Sequence, residues 1–89
     1  MVTKKIIVRG KVQGVFYRQS TRNKARALGV KGTVRNLEDG QTVEIYATGT
    51  TEQLSALMDW CQVGPPQAVV NAVEVSDEPL KVYDDFSII

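Results

Sequence analysis

The spacing of apolar residues changes repeatedly along this chain, and each change marks an element. Ile6, Ile7 and Val8 sit among basic residues in "KKIIVRGKV", a pattern that predicts a first strand. After the stretch "GKVQGVFYRQS", Tyr17, Thr21, Ala25 and Leu28 recur at spacings of four, four and three. That is one face of a helix, with Arg22, Lys24 and Arg26 mostly turned away and Gly29 as its stop. "VKGTVRN" predicts a second strand, Asp39-Gly40 signals a hairpin turn, and "VEIYATG" alternates as the returning strand. Leu54, Leu57, Met58 and Cys61 fall at i, i+3, i+4 and i+7 and predict a second helix. Thr50 and Gln53 suit a capping box at its start, and Gly64-Pro65-Pro66 ends it. "AVVNAVEV" predicts a further strand, and "KVYDDFSII" a last extended segment at an edge.

Strand, helix, strand, strand, helix, strand is the order of an α+β domain. It suits a ferredoxin-like split βαββαβ sandwich, an antiparallel sheet with two helices on one face. No internal repeat, low-complexity tract or linker interrupts the 89 residues, so a single domain over residues 1–89 is expected. Many functions share that fold, and the site must decide among them.

Composition narrows the chemistry. Apolar residues make up 43% and charged residues 24% of the chain, ordinary values for a globular domain. Apolar runs are only three or four residues long, too short for a membrane span, so no membrane partner is expected. The lone cysteine, Cys61, excludes an intramolecular disulfide and a cysteine metal cluster, and fits a reducing cytoplasm. Its place on an apolar helical face makes it a core residue. There is no histidine, which removes the commonest general base and the commonest zinc ligand. An enzyme built from this chain must work without a side chain that titrates near neutrality.

Net charge is +1, but ten of the eleven Lys and Arg residues lie between Lys4 and Arg35, and all ten acids lie from Glu38 onward. Two readings stand side by side. The blocks form complementary solvated faces, or the N-terminal third builds an anion site. The stretch between the first strand and first helix bears on the second, although joints of strand, glycine loop and helix are common and the pattern alone leaves both readings open. A helix N-terminus leaves N–H groups unpaired, and a glycine loop can aim several of them inward. A phosphoryl group suits such a nest because its oxygens accept many bonds and its charge meets the positive end of the helix dipole. Arg18, at the rim, adds a planar fork of donors.

The residues of this loop also carry a resemblance. "GKVQGVFYR" resembles the first signature of the acylphosphatase family, Gly-x-Val-Gln-Gly-Val followed by two residues and an arginine. "GTVRNLEDG" is similar to the second signature, a glycine-led strand ending in Asn with Gly four residues later. "GPPQAVVNAVEV" and the terminal "FSII" also look like the later part of these chains, so the resemblance covers nearly the full length. It implies hydrolysis of acyl phosphates to a carboxylate and inorganic phosphate, with a small-molecule acyl phosphate as partner and no metal or cofactor. By position, Arg18 and the loop amides of Gly14, Val15, Phe16, Tyr17 and Arg18 would hold the phosphoryl oxygens, and Asn36 would hold the attacking water. The side chains of Phe16 and Tyr17 are expected as wall and core.

The implied chemistry accounts for the missing histidine. A carboxylate leaving group has a conjugate-acid pKa of roughly 4 to 5 and can depart without a general acid. Phosphoryl transfer is largely dissociative, so positioning and charge stabilisation carry most of the catalysis. Asn36 cannot be a strong base, but its amide can orient water.

Three departures from the family pattern stand out. Thr33 follows Gly32 where an aromatic residue is usual, and its effect is expected on packing near the site. Two residues, Gln41 and Thr42, separate Gly40 from Val43 where one is usual, which predicts a longer hairpin or a bulge. The chain given ends on Ile89, without the aromatic or basic ending common in relatives, which leaves a role for a C-terminal carboxylate open. Glu38, Asp39, Asp84 and Asp85 are expected to be solvated. The alternative function is a non-catalytic phosphate- or RNA-binding module, motivated by the basic N-terminal third. Against RNA, neither "GTVRNLEDG" nor "VEIYATG" carries the aromatic-rich strand signature, so no nucleic-acid partner is expected; a monomer is expected as well.

Overall fold

The computed structural model describes all 89 residues. Its elements in chain order are β1 (Val2–Lys11), α1 (Tyr17–Leu28), β2 (Lys31–Asn36), β3 (Thr42–Gly49), α2 (Thr51–Cys61), β4 (Val69–Glu78) and β5 (Phe86–Ile88). The strands form one five-stranded sheet in the order β4-β1-β3-β2-β5. The first four pair antiparallel, as the split βαββαβ arrangement requires. The fifth corrects the all-antiparallel expectation. β5 runs parallel to β2, with Gly32 opposite Phe86 and Val34 opposite Ile88, so the sheet is mixed. The strand is also shorter than the extended tail expected over residues 81–89, beginning only at Phe86.

Register explains the layers. Val8, Val43 and Val73 stand side by side across three strands, as do Ile6, Ile45 and Val75. Alternation sends these residues to one face, where the helices bury Ile6, Val8, Val43 and Ile45, while on the outer strand Val73 is half-buried and Val75 exposed. Tyr17, Thr21 and Ala25 of α1 and Leu54, Leu57 and Cys61 of α2 supply the facing layer, all buried. The opposite face carries Lys5, Arg9, Thr33, Arg35, Glu44 and Tyr46. At one end the segment after β4 lies across it, where the Lys81 carbonyl accepts from Thr48 Oγ1 at 2.7 Å. β4 is an outer strand, paired to β1 alone and mostly exposed.

Charge pairing divides the basic third of the chain. Lys4 and Arg9 of β1 pair with Asp77 and Glu74 of β4, Lys5 and Arg35 with Glu44, and Arg26 with Asp85. No carboxylate pairs with Lys11, Arg18, Arg22, Lys24 or Lys31. The first reading of the charge blocks therefore holds for the sheet, whose cations complement acids, while most of the cations on and around α1 have no carboxylate partner.

Candidate active site

The path from β1 into α1 is set by backbone conformation. The β1–β4 ladder shifts register between Arg9 and Gly10, a bulge that re-aims the chain just before the loop. Gly14 then takes φ 74° and Phe16 φ 65°, both left-handed. A side chain added at Gly14 would meet no atom within 4 Å, so glycine is needed there for its conformation alone. Phe16 is the one non-glycine residue with positive φ, a placement that costs a bulky side chain on the order of 1–3 kcal/mol and gathers at functional sites. It is also the N-cap of α1, and it offers no side-chain hydrogen bond to the helix, whose first turn contains no acid. The leading N–H groups of α1 therefore face the loop without a capping acceptor.

Arg18 stands one residue into that helix, half-buried, beside a cavity of about 290 Å³. Gly14, Phe16, Tyr17, Gln19, Asn36 and Ile88 line the same cavity. The structure thus brings together Gly14, Phe16, Tyr17, Arg18 and Asn36, drawn from the two separate sequence motifs. Asn36 is the last residue of β2, on the helix-facing side, and its Oδ1 is buried with no hydrogen-bond partner. Val15 is buried with its side chain in the core and can serve the cavity only through its amide. The Phe16 ring is exposed, an open wall.

Neighbours hold this arrangement still. Tyr17 is buried in the core, its ring 5.6 Å from Trp60, and its hydroxyl donates to the Cys61 carbonyl at 2.7 Å. That bond ties the start of α1 to the end of α2. The ring also packs against Gly64, where an added Cβ would stand 2.6 Å from it. Burial, and after it the neighbouring Cys61, raises the Tyr17 phenol far above its ordinary value, and burial pushes the Cys61 thiol up to about 12. Both stay neutral, and Cys61 is an inert core residue as expected.

Gln13 is a residue whose part the sequence did not disclose. Its Nε2 donates to the carbonyls of Leu37 at 2.8 Å and Thr42 at 2.9 Å, clasping the loop to the β2–β3 hairpin directly after Asn36. The signature contains Gln13, but only the fold shows what it reaches. Ile88 and Gln19 were likewise unmarked; Ile88 arrives through the short parallel strand.

The hairpin takes the first of its two expected forms, whereas Thr33 lies where it was not expected. The β2–β3 ladder runs without a shift from Lys31 to Asn36, so the extra residue lengthens the turn and makes no bulge. Thr42 is buried and structural, its hydroxyl donating to Asp39, which also accepts from the Gln41 amide at 3.0 Å. Those two bonds, Thr42's first, hold the Asp39 carboxyl below its ordinary value. Thr33 lies on the open face opposite Tyr46, away from the cavity, because strand alternation puts it on the other side from Val34. It lines a larger cleft of about 570 Å³ with Tyr46, Tyr83 and Ile89. That cleft contains neither Arg18 nor Asn36, so volume does not mark the site. Ile88, not Ile89, reaches the cavity.

An uncapped helix start, a left-handed loop and an arginine on a ferredoxin-like sheet are features that suit an anion in an α+β domain. Comparison with known proteins narrows the class. The acylphosphatase family model matches residues 4–88. The acylphosphatase of Marinobacter nauticus is 55% identical over 82 residues, covering 91% of this chain and 88% of that one. Among solved structures, the acylphosphatase from Coxiella burnetii superposes with a TM-score of 0.95 at 39% identity, over 99% of this chain and 92% of that one. The acylphosphatase from Bacillus subtilis gives 0.96 at 33% identity, over 100% and 99%. The chain belongs to the acylphosphatase family, enzymes that hydrolyse acyl phosphates.

Proposed function

We propose that this chain hydrolyses acyl phosphates in the 290 Å³ cavity, holding the phosphoryl group with the amides of Gly14 to Arg18 and the Arg18 guanidinium. The observation that carries this reading is the pairing of an uncapped α1 start with the buried, unpartnered Oδ1 of Asn36 in one cavity. A buried acceptor without a partner is rare and calls for a ligand. A water that donates one proton to Oδ1 keeps its lone pair free to attack phosphorus. As the bond to the carboxylate oxygen lengthens, charge stays on the equatorial oxygens, where loop amides and Arg18 meet it. The carboxylate leaves with the bonding pair, and the attacking water's proton passes to phosphate or solvent. No side chain needs to change protonation state, which suits a chain without histidine. No helix of the structure is long and apolar enough to cross a membrane.

Hydrolysis of benzoyl phosphate in excess chelator, by wild type and by Arg18→Ala, tests the reading. Turnover that survives chelation and disappears in a folded Arg18→Ala variant supports it. Turnover at near wild-type rate in that variant would contradict the assignment. Phosphate binding without turnover by the folded wild type would favour the non-catalytic alternative.

A further inference from the structure

Residues 12–16 carry most of the amides that hold phosphate in the proposed reaction, and Asn36 lines the same cavity from the end of β2. Two hydrogen bonds join that loop to the β2–β3 hairpin, and one nitrogen donates both. The backbone supplies none. β1 pairs with β3 only as far as Arg9 opposite Thr42, and the Gly10 amide adds a last bond to the Gln41 carbonyl at 3.1 Å. Beyond it, the one main-chain bond to residues 12–16 comes from their own helix, the Ser20 amide donating to the Phe16 carbonyl at 3.0 Å.

The nitrogen is Nε2 of Gln13, a half-buried residue directly before the left-handed Gly14. One of its bonds ends on the carbonyl of Leu37, the residue directly after Asn36, and the other on the carbonyl of Thr42. The Leu37 amide donates to that same Thr42 carbonyl at 2.9 Å, so both ends of the turn and the loop meet at Gln13. A primary amide suits the place because it has two protons on one uncharged nitrogen. A hydroxyl or a protonated carboxyl has one, and a lysine would bring a charge. Each motif is thus held one residue away from the group it contributes to the cavity. Tyr17 ties α1 to α2 and Asn36 Oδ1 has no partner, so neither spans the same gap. Attack on phosphorus is sensitive to such a gap, since a misplacement of about 1 Å can cost about 10²-fold in rate.

We propose that Gln13 is a positioning residue, which fixes the separation between the phosphoryl group on the loop and the water on Asn36. It touches neither reacting group, and acts on turnover through Asn36 while leaving phosphate affinity to the amides and Arg18. The inference rests on the function proposed above.

Three measurements with benzoyl phosphate test it. Gln13→Met keeps the length of the side chain without its donors, and should lower kcat by about thirtyfold while the calorimetric affinity for inorganic phosphate changes less than about threefold. Placed in an Asn36→Ala background, the same substitution should cost less than about threefold, because the group it positions is gone. Gln13→Glu keeps the shape but faces two carbonyls with an acceptor when ionised, which raises its carboxyl above the ordinary value of about 4.3. Protonation returns one donor, so its kcat relative to wild type at the same pH should rise by about fivefold or more from about pH 7 to about pH 4.5. The Asp39 carboxyl, bound to Thr42 and Gln41 in the same hairpin, is held below its ordinary value and stays ionised over that range. A kcat within about twofold of wild type in folded Gln13→Met overturns the proposal, and so does an equal loss with and without Asn36. A flat ratio for Gln13→Glu overturns it whether or not Gln13→Met folds. Failure of wild type to hydrolyse benzoyl phosphate is a different result, and removes the function along with the inference.

Discussion

The two helices begin in opposite ways. α2 is closed at its start: Thr50 Oγ1 accepts from the Gln53 amide at 3.1 Å, and Gln53 Oε1 accepts from the Thr50 amide at 2.9 Å. Glu52 adds a negative charge in the first turn, where the dipole favours it. α1 has none of this. Its N-cap is a left-handed phenylalanine without a capping bond, and its first turn holds Arg18 where an acid would stabilise the helix. A cap contributes about 1 kcal/mol, and α1 forgoes it while carrying backbone strain besides. The difference teaches where this small domain spends stability. One helix satisfies its own amides; the other leaves them uncapped, open to the ligand proposed above.

Substitutions can break that contrast from either side. The largest effect is expected at the open end, where Arg18→Ala should lower kcat/KM by about 10³-fold or more while the melting temperature moves little. Asn36→Ala should lower kcat by about 10²-fold, with the affinity for inorganic phosphate, measured by calorimetry, changed less than about threefold. Loss of phosphate binding instead would contradict the water-orienting role. Gly14→Ala should strain the left-handed loop by about 1 kcal/mol and, by disturbing the aim of its amides, weaken phosphate binding by roughly tenfold. At the closed end, Thr50→Ala should cost about 1 kcal/mol in urea denaturation and leave kcat/KM at the wild-type value. A comparable loss of activity there would mean that the two helix starts are not independent.

The smallest effect concerns acid. Asp39 titrates below its ordinary value of 3.8 because the Thr42 hydroxyl and Gln41 amide favour the carboxylate. Its contribution to stability is present above that ordinary value and is lost as pH falls through the lowered folded one. Melting temperatures taken from about pH 5 to about pH 2 should fall less steeply in Asp39→Asn than in wild type.

Much of this was legible in the chain, and for physical reasons. Periodicity found both helices because Tyr17, Thr21 and Ala25, and Leu54, Leu57 and Cys61, are buried faces of regular elements. The capping box was readable because Thr50 and Gln53 act within four residues. The meeting of Arg18 with Asn36 was implied by resemblance, not by spacing, since helix and strand ends eighteen residues apart carry no common period. What stayed hidden depends on long-range placement. β5 has three residues, too few to alternate, so its parallel pairing could not be read. Gln13 reaches carbonyls more than twenty residues away, which no local pattern announces. Thr33 follows Gly32 within the second motif, yet alternation from Val34 sends it to the open face, so proximity to a motif in sequence is not proximity in space.

The outer position of β4 carries a consequence for how copies of this chain behave toward one another. A ten-residue strand with one row of amides and carbonyls unpaired is a template for further strands, and Val69 and Val75 are exposed on it. Glu74, Asp77 and Glu78 lie along the same strand. Two such edges brought together in solution set carboxylate against carboxylate. The acids that balance Lys4 and Arg9 within the fold thus also stand where charge on an edge strand opposes its pairing with a second copy.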